Sequence, residues 1–304
     1  MYEIVEVPAD ASEYSEPLGS KEKFWYGQQY LFKVARDPSG EDWAEKVCAE
    51  IAGRIGLPHA EYELALWKRL PAEVRGVVSR NFCRDGAALV LGNEILAEIE
   101  PDYAMGISQF RVSAHTLNRV LHTFHTKNPR LPLDWDPPPQ ILHSAEVFVG
   151  YLLLDALVGN TDRHHENWGV LRLPDGVVHL APTFDHASSL GCHELDTKKA
   201  RRLNMADHNF TVEAFAARAR SALYLNEDDV QPLLTMEAFL QAALQSRAAG
   251  RFWIEILELV SDAEIGILVD EVPPARCSEI SAEFAKRIML ANKRALVALK
   301  EALQ

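Results

Sequence analysis

Three oxygen-bearing side chains lie close together near the middle of the sequence. Asp162 and Asn167 belong to the segment NTDRHHENW, and Asp185 follows in LAPTFDHASSLG. Carboxylate and amide oxygens on short loops suit a hard cation such as Mg²⁺ held over phosphate groups. A carboxylate placed beside an attacking hydroxyl would complete a centre for phosphoryl transfer. The residue types therefore indicate the chemistry of a phosphotransferase.

The spacing of these residues strengthens this interpretation. Asp162 and Asn167 are five positions apart (167 − 162 = 5), the separation at which kinase catalytic loops carry a proton-accepting Asp and a metal-binding Asn. Asp185 follows a hairpin whose turn is Pro174-Asp175-Gly176. Taken singly, the loop residues also fit polar caps after a helix, and Asp185 fits an N-cap or a turn. The combination favours catalysis.

A lysine far upstream is the natural partner of this centre. Lys33 lies in YLFKVAR between Phe32 and Val34, a pattern typical of a strand. The next segment, EDWAEKVCAEIAGRIG, has an apolar residue every fourth position, which predicts a helix carrying Glu45 and Glu50. A strand lysine that contacts phosphates needs a carboxylate to orient it. The alternative is a surface lysine and a solvated glutamate.

The elements around these motifs predict two lobes. Strands are expected at YEIVEV, RGVVSRNF and AALVLGNEILAEI, the last divided by a turn at Gly92-Asn93. With the Lys33 strand and its helix they form a small mixed lobe over residues 1–110. Residues 111–304 are expected to form a mainly helical lobe. The sequence thus predicts an α+β, two-lobed, protein-kinase-like fold.

Helix signals are strong in the second lobe. Ser113 is expected to cap a first helix, and residues 143–158, apolar on all sides, predict a buried helix ended by Gly159. Further helices are predicted from their Ala, Leu, Arg and Glu content at residues 211–223, 228–248, 250–261 and 278–302.

Composition narrows the classes of protein. The 304 residues are 48% hydrophobic and 25% charged, as in globular proteins, and the net charge is −13. That charge opposes general binding to nucleic acid or to anionic membranes. The N-terminus lacks the pattern of a signal peptide, no segment is apolar enough to span a membrane, and the four cysteines are scattered. We therefore expect a cytoplasmic protein with no membrane and no direct nucleic-acid partner.

Histidines near the centre raise the alternative of a zinc site. His164, His165, His179 and His186 all lie close to the motif residues, but they form no H-E-x-x-H or H-x-H arrangement. The neighbouring acidic residues match magnesium better. We expect His164 to pack beneath the loop and bond its backbone, whereas His165 fits an exposed position as well.

The segments NTDRHHEN, LAPTFD and YLFKVAR together resemble the HipA-like kinases, and the form D-R-H-x-x-N is also distantly similar to phosphatidylinositol 3/4-kinases. The resemblance implies ATP and Mg²⁺ as cofactors and a protein Ser or Thr as acceptor. It implies Asp162 as catalytic base, Asn167 and Asp185 as magnesium ligands, and Lys33 on the ATP phosphates. Glu45 is the better match for the lysine's partner.

The resemblance extends to two further residues. Glu94 in VLGNEIL would lie near the hinge that receives adenine, and Ser20 in PLGSKEKFW would lie in a phosphate-covering loop where autophosphorylation occurs in the family. That loop has only Gly19, and Asp185 is followed by His-Ala rather than Phe-Gly. These departures separate the chain from ordinary protein kinases.

The same resemblance implies the partners. The family includes toxins of toxin–antitoxin systems, which implies small antitoxin proteins as partners and a translation component, such as an aminoacyl-tRNA synthetase, as target. Two alternatives stay open: a lipid or small-molecule kinase of the same fold, and a non-catalytic module that binds a nucleotide or a partner protein.

Overall fold

The computed structural model describes residues 1–11, 14–15, 22–27, 29–36, 38–84, 86–103 and 112–304, with the backbone alone at residues 14–15. Ser20 lies outside these ranges, as does residue 110, the predicted boundary between the lobes. The predicted α+β architecture, a small sheet-containing lobe beside a helical lobe, is confirmed.

The first lobe is built on a six-stranded sheet in the order β1-β5-β6-β4-β3-β2, in which β1 runs parallel to β5 and the other neighbours are antiparallel. Its strands are β1 (Ile4–Val7), β2 (Tyr14–Ser15), β3 (Lys23–Tyr26), β4 (Tyr30–Val34), β5 (Tyr62–Trp67) and β6 (Val74–Arg80). The segment around Lys33 is therefore a hairpin rather than one strand. It turns at Gly27, whose φ of 55° is a left-handed conformation that glycine adopts without strain.

Helix α1 (Glu41–Ile55) packs on this sheet with the predicted apolar stripe. Trp43, Val47, Ile51 and Ile55 are all buried, and Gly56 ends the helix with φ 76°. The stripe does not account for the whole buried surface, because Glu45 is only 2% exposed. A carboxylate in such a position must have polar partners.

A second sheet joins the first lobe to the rest of the chain. It has three antiparallel strands, β7 (Ala88–Leu91), β8 (Gly169–Arg172) and β9 (Val178–Leu180), with β8 in the middle. Strands β8 and β9 are the predicted hairpin after the loop. The strand predicted beyond Gly92-Asn93 is wrong, because helix α2 (Gly92–Ile99) begins there.

Tertiary contacts explain the start of α2. The Gly92 and Asn93 N–H groups donate to carbonyl oxygens of Trp168 and His165 at 2.9 Å. The Glu94 carboxylate accepts from the Leu91 N–H at 3.4 Å, as a residue in the first helical turn does. A Cβ at Gly92 would lie 2.2 Å from the Trp168 ring. Glycine serves here for close packing rather than for a turn.

The second lobe is mainly helical. Its helices are α3 (Leu117–Lys127), α4 (Ser144–Val158), α5 (Asp196–Leu203), α6 (Val212–Ala216), α7 (Thr235–Gln245), α8 (Arg247–Leu259), α9 (Asp262–Asp270) and α10 (Glu279–Ala298), with short 3-10 helices at His208–Phe210 and Leu299–Leu303. Helix α4 lies at the centre against α3, α7, α8 and α10, as its apolar character predicts. Among the described residues no helix is long and apolar enough to cross a membrane.

Helix boundaries differ from the prediction at several points. Thr116, not Ser113, caps α3, and its Oγ1 accepts from the Arg119 N–H at 3.3 Å. The helices predicted at 211–223 and 228–248 are shorter, and α5 and α9 were not predicted. Backbone contacts of the intervening segment compete with helix formation: the Ser221 N–H donates to the Leu233 carbonyl and the Leu233 N–H to Leu223, both at 2.8–2.9 Å.

Candidate active site

The loop after α4 is closed by its own hydrogen bonds. Gly159 ends the helix in a left-handed conformation. The His164 N–H donates to the Asp162 carbonyl at 2.8 Å, and the Asn167 side-chain Nδ2 donates to the same carbonyl at 2.7 Å. The Asn160 side chain accepts from the Asp162 N–H at 3.1 Å. The loop thus holds Asp162 and Asn167 side by side, with Asn167 Oδ1 as the amide atom suited to a cation.

A buried ion pair fixes this loop to α4. Arg163 is fully buried, and its guanidinium makes a bidentate pair with Asp155 at 2.7 and 2.8 Å. The same guanidinium donates to the Asn167 carbonyl at 2.5 Å and to Thr183 Oγ1 at 3.0 Å. Because all these partners are buried, the geometry is held by a satisfied polar network. One arginine therefore connects α4, the loop and the segment before Asp185.

Asp185 occupies an unusual backbone conformation. Its φ is 59°, in the left-handed region that non-glycine residues rarely adopt. The conformation is maintained by tertiary contacts: the Asp185 N–H donates to the Tyr62 hydroxyl at 3.3 Å, and the next N–H, of His186, donates to Glu45 at 2.8 Å. Such outliers concentrate at functional sites. The turn directs the Asp185 carboxylate toward the sheet of the first lobe.

Lys33 meets Asp185 across the two lobes. Its Nζ lies 3.5 Å from Asp185 Oδ2 and 3.3 Å from the Tyr62 hydroxyl. Lys33 and Leu64 are both paired with Val77 of β6, so their side chains lie on the same face of the sheet. Tyr62 lies on that face too, because it is two residues before Leu64 on β5. Burial acts to lower the pKa of Lys33, but Asp185, Tyr62 and Glu45 outweigh it and raise that pKa. The lysine is a stable cation.

Glu45 is oriented toward the site from α1. Its Oε1 accepts from the His186 N–H at 2.8 Å and lies 3.9 Å from the His186 ring. Its negative charge also raises the pKa of Lys33. The structure therefore brings Glu45 to the same centre as Lys33, while the ion pair of Lys33 at 3.5 Å is with Asp185.

The four histidines around the loop form hydrogen bonds with nearby protein atoms. His164 is buried, and its Nδ1 accepts from the Glu166 N–H at 3.1 Å, which confirms the predicted bond to the loop backbone. The exposed alternative for His165 is wrong: it is 2% exposed and bonds the Tyr103 hydroxyl at 2.9 Å, and burial lowers its pKa to about 4. His186 bonds Thr183 Oγ1 at 2.8 Å, and His179 bonds the Leu131 carbonyl at 2.7 Å.

One predicted residue lies apart from this cluster. Glu94 bonds the Leu91 N–H at the start of α2, beside the strand that joins the lobes, so its contact with adenine stays a prediction. Ser20 lies outside the described residues.

The donor set fits a magnesium ion shared with phosphate groups. Asn167 and Asp185 offer one amide and one carboxylate, and Mg²⁺ characteristically takes one or two carboxylates with phosphates and water. Within the described part of the chain there is no group of three or more His, Cys, Asp or Glu residues that could hold a metal by themselves. Any cation here would share its shell with substrate.

Some residues of the site are not found by its motifs. Tyr62 bonds Lys33 and Asp155 bonds Arg163, yet both lie in segments that no motif includes. Thr183, which also bonds Arg163, lies within LAPTFD, but no role was predicted for it. Asp155 carries a signal, since a carboxylate inside YLLLDALV must be paired when the helix is buried. Tyr62 carries none, because its role depends on strand register.

Solved structures of two bacterial proteins are similar to this chain. The proinflammatory kinase CtkA of Helicobacter pylori superposes with a TM-score of 0.72 and 20% identity over 99% of this chain and 98% of that one. HipA of Shewanella oneidensis MR-1, solved with HipB and operator DNA, superposes with a TM-score of 0.52 and 12% identity over 96% and 68%. These likenesses confirm the kinase-like fold.

The sequence comparisons point to one family. Among curated proteins no match is found. The family model described as the HipA-like C-terminal domain matches residues 17–247, which is most of the chain and includes the loop, the hairpin and Lys33. The chain therefore belongs to the HipA-like kinase family.

Proposed function

We propose that this protein transfers the γ-phosphoryl group of ATP to a serine or threonine hydroxyl of another protein and requires Mg²⁺. The observation that carries the proposal is the contact of Lys33 with Asp185 at 3.5 Å, which joins the sheet of one lobe to the segment beside the Asp162 loop. Membership in the HipA-like family supports the same chemistry.

Each residue has a distinct task in this proposal. Lys33 donates hydrogen bonds to the phosphates, and Glu45 and Tyr62 keep its position and charge. Asp162, partly exposed at the loop, accepts the proton of the acceptor hydroxyl. The hydroxyl oxygen bonds to the γ-phosphorus while the bond from that phosphorus to the bridging oxygen breaks and ADP leaves. Mg²⁺, when bound by Asn167 and Asp185, would neutralise phosphate charge. Catalysis then comes mainly from positioning and charge stabilisation.

The remaining family features form part of the proposal. Glu94 contacts adenine near the strand that joins the lobes, and Ser20 is a site of autophosphorylation. The protein acts in the cytoplasm on a translation component such as an aminoacyl-tRNA synthetase, and small antitoxin proteins bind it. The complex of Shewanella HipA with HipB supports the last point by analogy.

The decisive variant is Asp162→Asn, which retains shape and removes the base. We expect phosphoryl transfer to fall by roughly 100-fold to 10,000-fold, the usual worth of a general base, while ATP binding is retained. Transfer is measured with radiolabelled ATP, first with the protein alone and then with protein acceptors or phosphoinositides.

Asp228→Asn, a change at an exposed aspartate outside the motifs of the site, is the matched control and should leave transfer unchanged. Full activity of Asp162→Asn would overturn its role. Labelling of phosphoinositides alone would support a lipid kinase instead. ATP binding with Mg²⁺ but without any turnover would support the non-catalytic module.

A further inference from the structure

A cavity lies on the second lobe beside the catalytic loop. It has a volume of about 360 Å³ and lies between the end of α4, the segment after Asp185 and helices α6 and α10. Val158, Phe215 and Ile288 contribute apolar walls, and Thr161 and Ser188 contribute polar ones. No role assigned above to a motif residue uses this cavity.

Hydrogen bonds connect the cavity wall to the loop that carries Asp162. The Thr161 N–H donates to the Ser188 carbonyl at 3.2 Å, and the Thr161 hydroxyl donates to the same oxygen at 3.3 Å. The Leu190 N–H donates to the Val158 carbonyl at 2.9 Å. Thr161 directly precedes Asp162. A chain that presents a hydroxyl to Asp162 would thus have its flanking residues beside this wall.

The cavity is cationic although the protein is acidic. Arg202, Arg218 and Arg220 line it, and Glu194 is the one carboxylate among the described lining residues. Arg202 lies 3.4 Å from Glu194 and stacks over the Phe215 ring at 4.9 Å. Arg218 and Arg220 are exposed and take part in none of the ion pairs formed among the described residues; Arg220 donates to the Pro232 carbonyl at 2.6 Å.

This local charge decides which ligands fit. A net charge of −13 repels acidic molecules in general. Arg218 and Arg220, which pair with no carboxylate in the described part of the chain, attract acidic molecules at one place. Planar guanidinium groups bind carboxylates with two parallel hydrogen bonds. The apolar walls provide room for side chains between the charges.

We propose that this cavity binds an acidic segment of the protein substrate, next to the serine or threonine that is phosphorylated. The inference rests on the proposed kinase function and specifies its substrate class: acceptor hydroxyls flanked by Asp or Glu. Arg218 and Arg220 are the specificity-determining residues, and Arg202 is held in place by Glu194.

Binding without nucleotide tests this inference separately from catalysis. A fluorescein-labelled peptide with one serine flanked by glutamates is titrated with the full chain, beside a peptide with glutamines at the same positions. We expect the glutamate peptide to bind roughly tenfold more tightly, as two ion pairs allow. Arg218→Glu with Arg220→Glu should abolish that preference.

A second double variant controls for net charge. Arg251→Glu with Arg294→Glu replaces exposed arginines on α8 and α10 and changes the net charge by the same amount. This variant should retain the preference for the glutamate peptide. The inference would be overturned by equal affinity for both peptides or by an equal loss of preference in the control variant. It would also be overturned if an RNA oligonucleotide of matched charge displaced the labelled peptide at a lower concentration than unlabelled glutamate peptide does. Peptide binding without phosphoryl transfer would instead contradict the kinase proposal.

Discussion

The Tyr62 hydroxyl accepts hydrogen bonds from one charged side chain of the site and from one backbone amide. It lies 3.3 Å from Lys33 Nζ and 3.3 Å from the Asp185 N–H, and the ring lies beneath the lysine, 5.2 Å from Nζ. Burial, followed by the charge of Glu45, raises the pKa of Tyr62, so the hydroxyl stays protonated. Tyr62 is a positioning residue, because it acts through Lys33 and Asp185.

Tyr62→Phe removes this hydroxyl and keeps the ring. We expect kcat/KM for ATP to fall roughly tenfold, since two hydrogen bonds of about 1 kcal/mol each are lost and part is recovered by water. Steady-state kinetics with varied ATP and varied protein acceptor would show the change in the ATP terms only.

Tyr30→Phe is the matched control, because Tyr30 is exposed on the same strand as Lys33 and stacks only on Tyr26 among the described rings. Unchanged ATP kinetics in Tyr62→Phe, or an equal loss in Tyr30→Phe, would contradict the positioning role.

At the scale of elements, the loop depends on the helix that precedes it. Helix α4 buries Asp155, and the Asp155 carboxylate accepts hydrogen bonds from the Arg163 guanidinium and the Asn160 side chain. Arg163 in turn holds the Asn167 carbonyl and Thr183. The helix therefore supplies a charged anchor as well as an apolar platform.

Asp155→Asn leaves the Arg163 cation buried with a neutral partner. We expect the free energy of unfolding to fall by about 3–5 kcal/mol, as when one partner of a buried pair is removed. Urea titration measures the loss.

The double variant Asp155→Asn with Arg163→Met separates stability from function. Without the buried cation the chain should recover part of its stability, yet phosphoryl transfer should stay low because the Asn167 loop has lost its anchor. Recovery of activity together with stability would show that the pair serves folding alone.

The whole molecule is tied together by contacts between its ends. Arg276, near the start of α10, donates to Asp42 of α1 at 2.7 Å and to the Ala65 carbonyl of β5 at 2.7 Å. The Tyr2 hydroxyl donates to the Leu268 carbonyl at 2.8 Å. The bond from Arg276 to Asp42 holds α1, and with it Glu45, against the second lobe.

The free energy of unfolding should fall as the pH is lowered. His115 is buried, and its Nε2 accepts from the Trp168 N–H at 3.1 Å, which requires a neutral ring. Burial, and then His165, lowers the pKa of His115 to about 3. An unfolded histidine titrates near 6.5. The unfolded state therefore binds a proton below pH 6.5 that the folded state excludes.

The consequence is a loss of stability as pH falls. Between pH 7.5 and pH 5, His115 alone should reduce the free energy of unfolding by about 2 kcal/mol. Urea titrations at the two pH values measure this, and His115→Gln, which keeps donor and acceptor atoms, should reduce the difference by that amount. An identical pH dependence in both proteins would contradict the role of His115.

The sequence by itself determined the fold class and the family of this protein and most of its elements, and it predicted the candidate chemistry. The spacing of Asp162 and Asn167, the hairpin before Asp185 and the apolar helix over 143–158 are local patterns. Their hydrogen bonds close within a few residues, so the order of residues is enough to predict them. The fold class and the family followed from the same patterns.

Only the tertiary structure decided which residues complete the site. Tyr62 reaches Lys33 and Asp185 through strand register, and Glu45 is buried beside His186 because α1 packs there. Helix α2 begins at Gly92 because backbone bonds to Trp168 and His165 hold its first turn, and Trp168 leaves room only for glycine. The arginines of the cavity come from α5 and from the segment after α6. Such contacts join residues far apart in the chain, and no local periodicity records them.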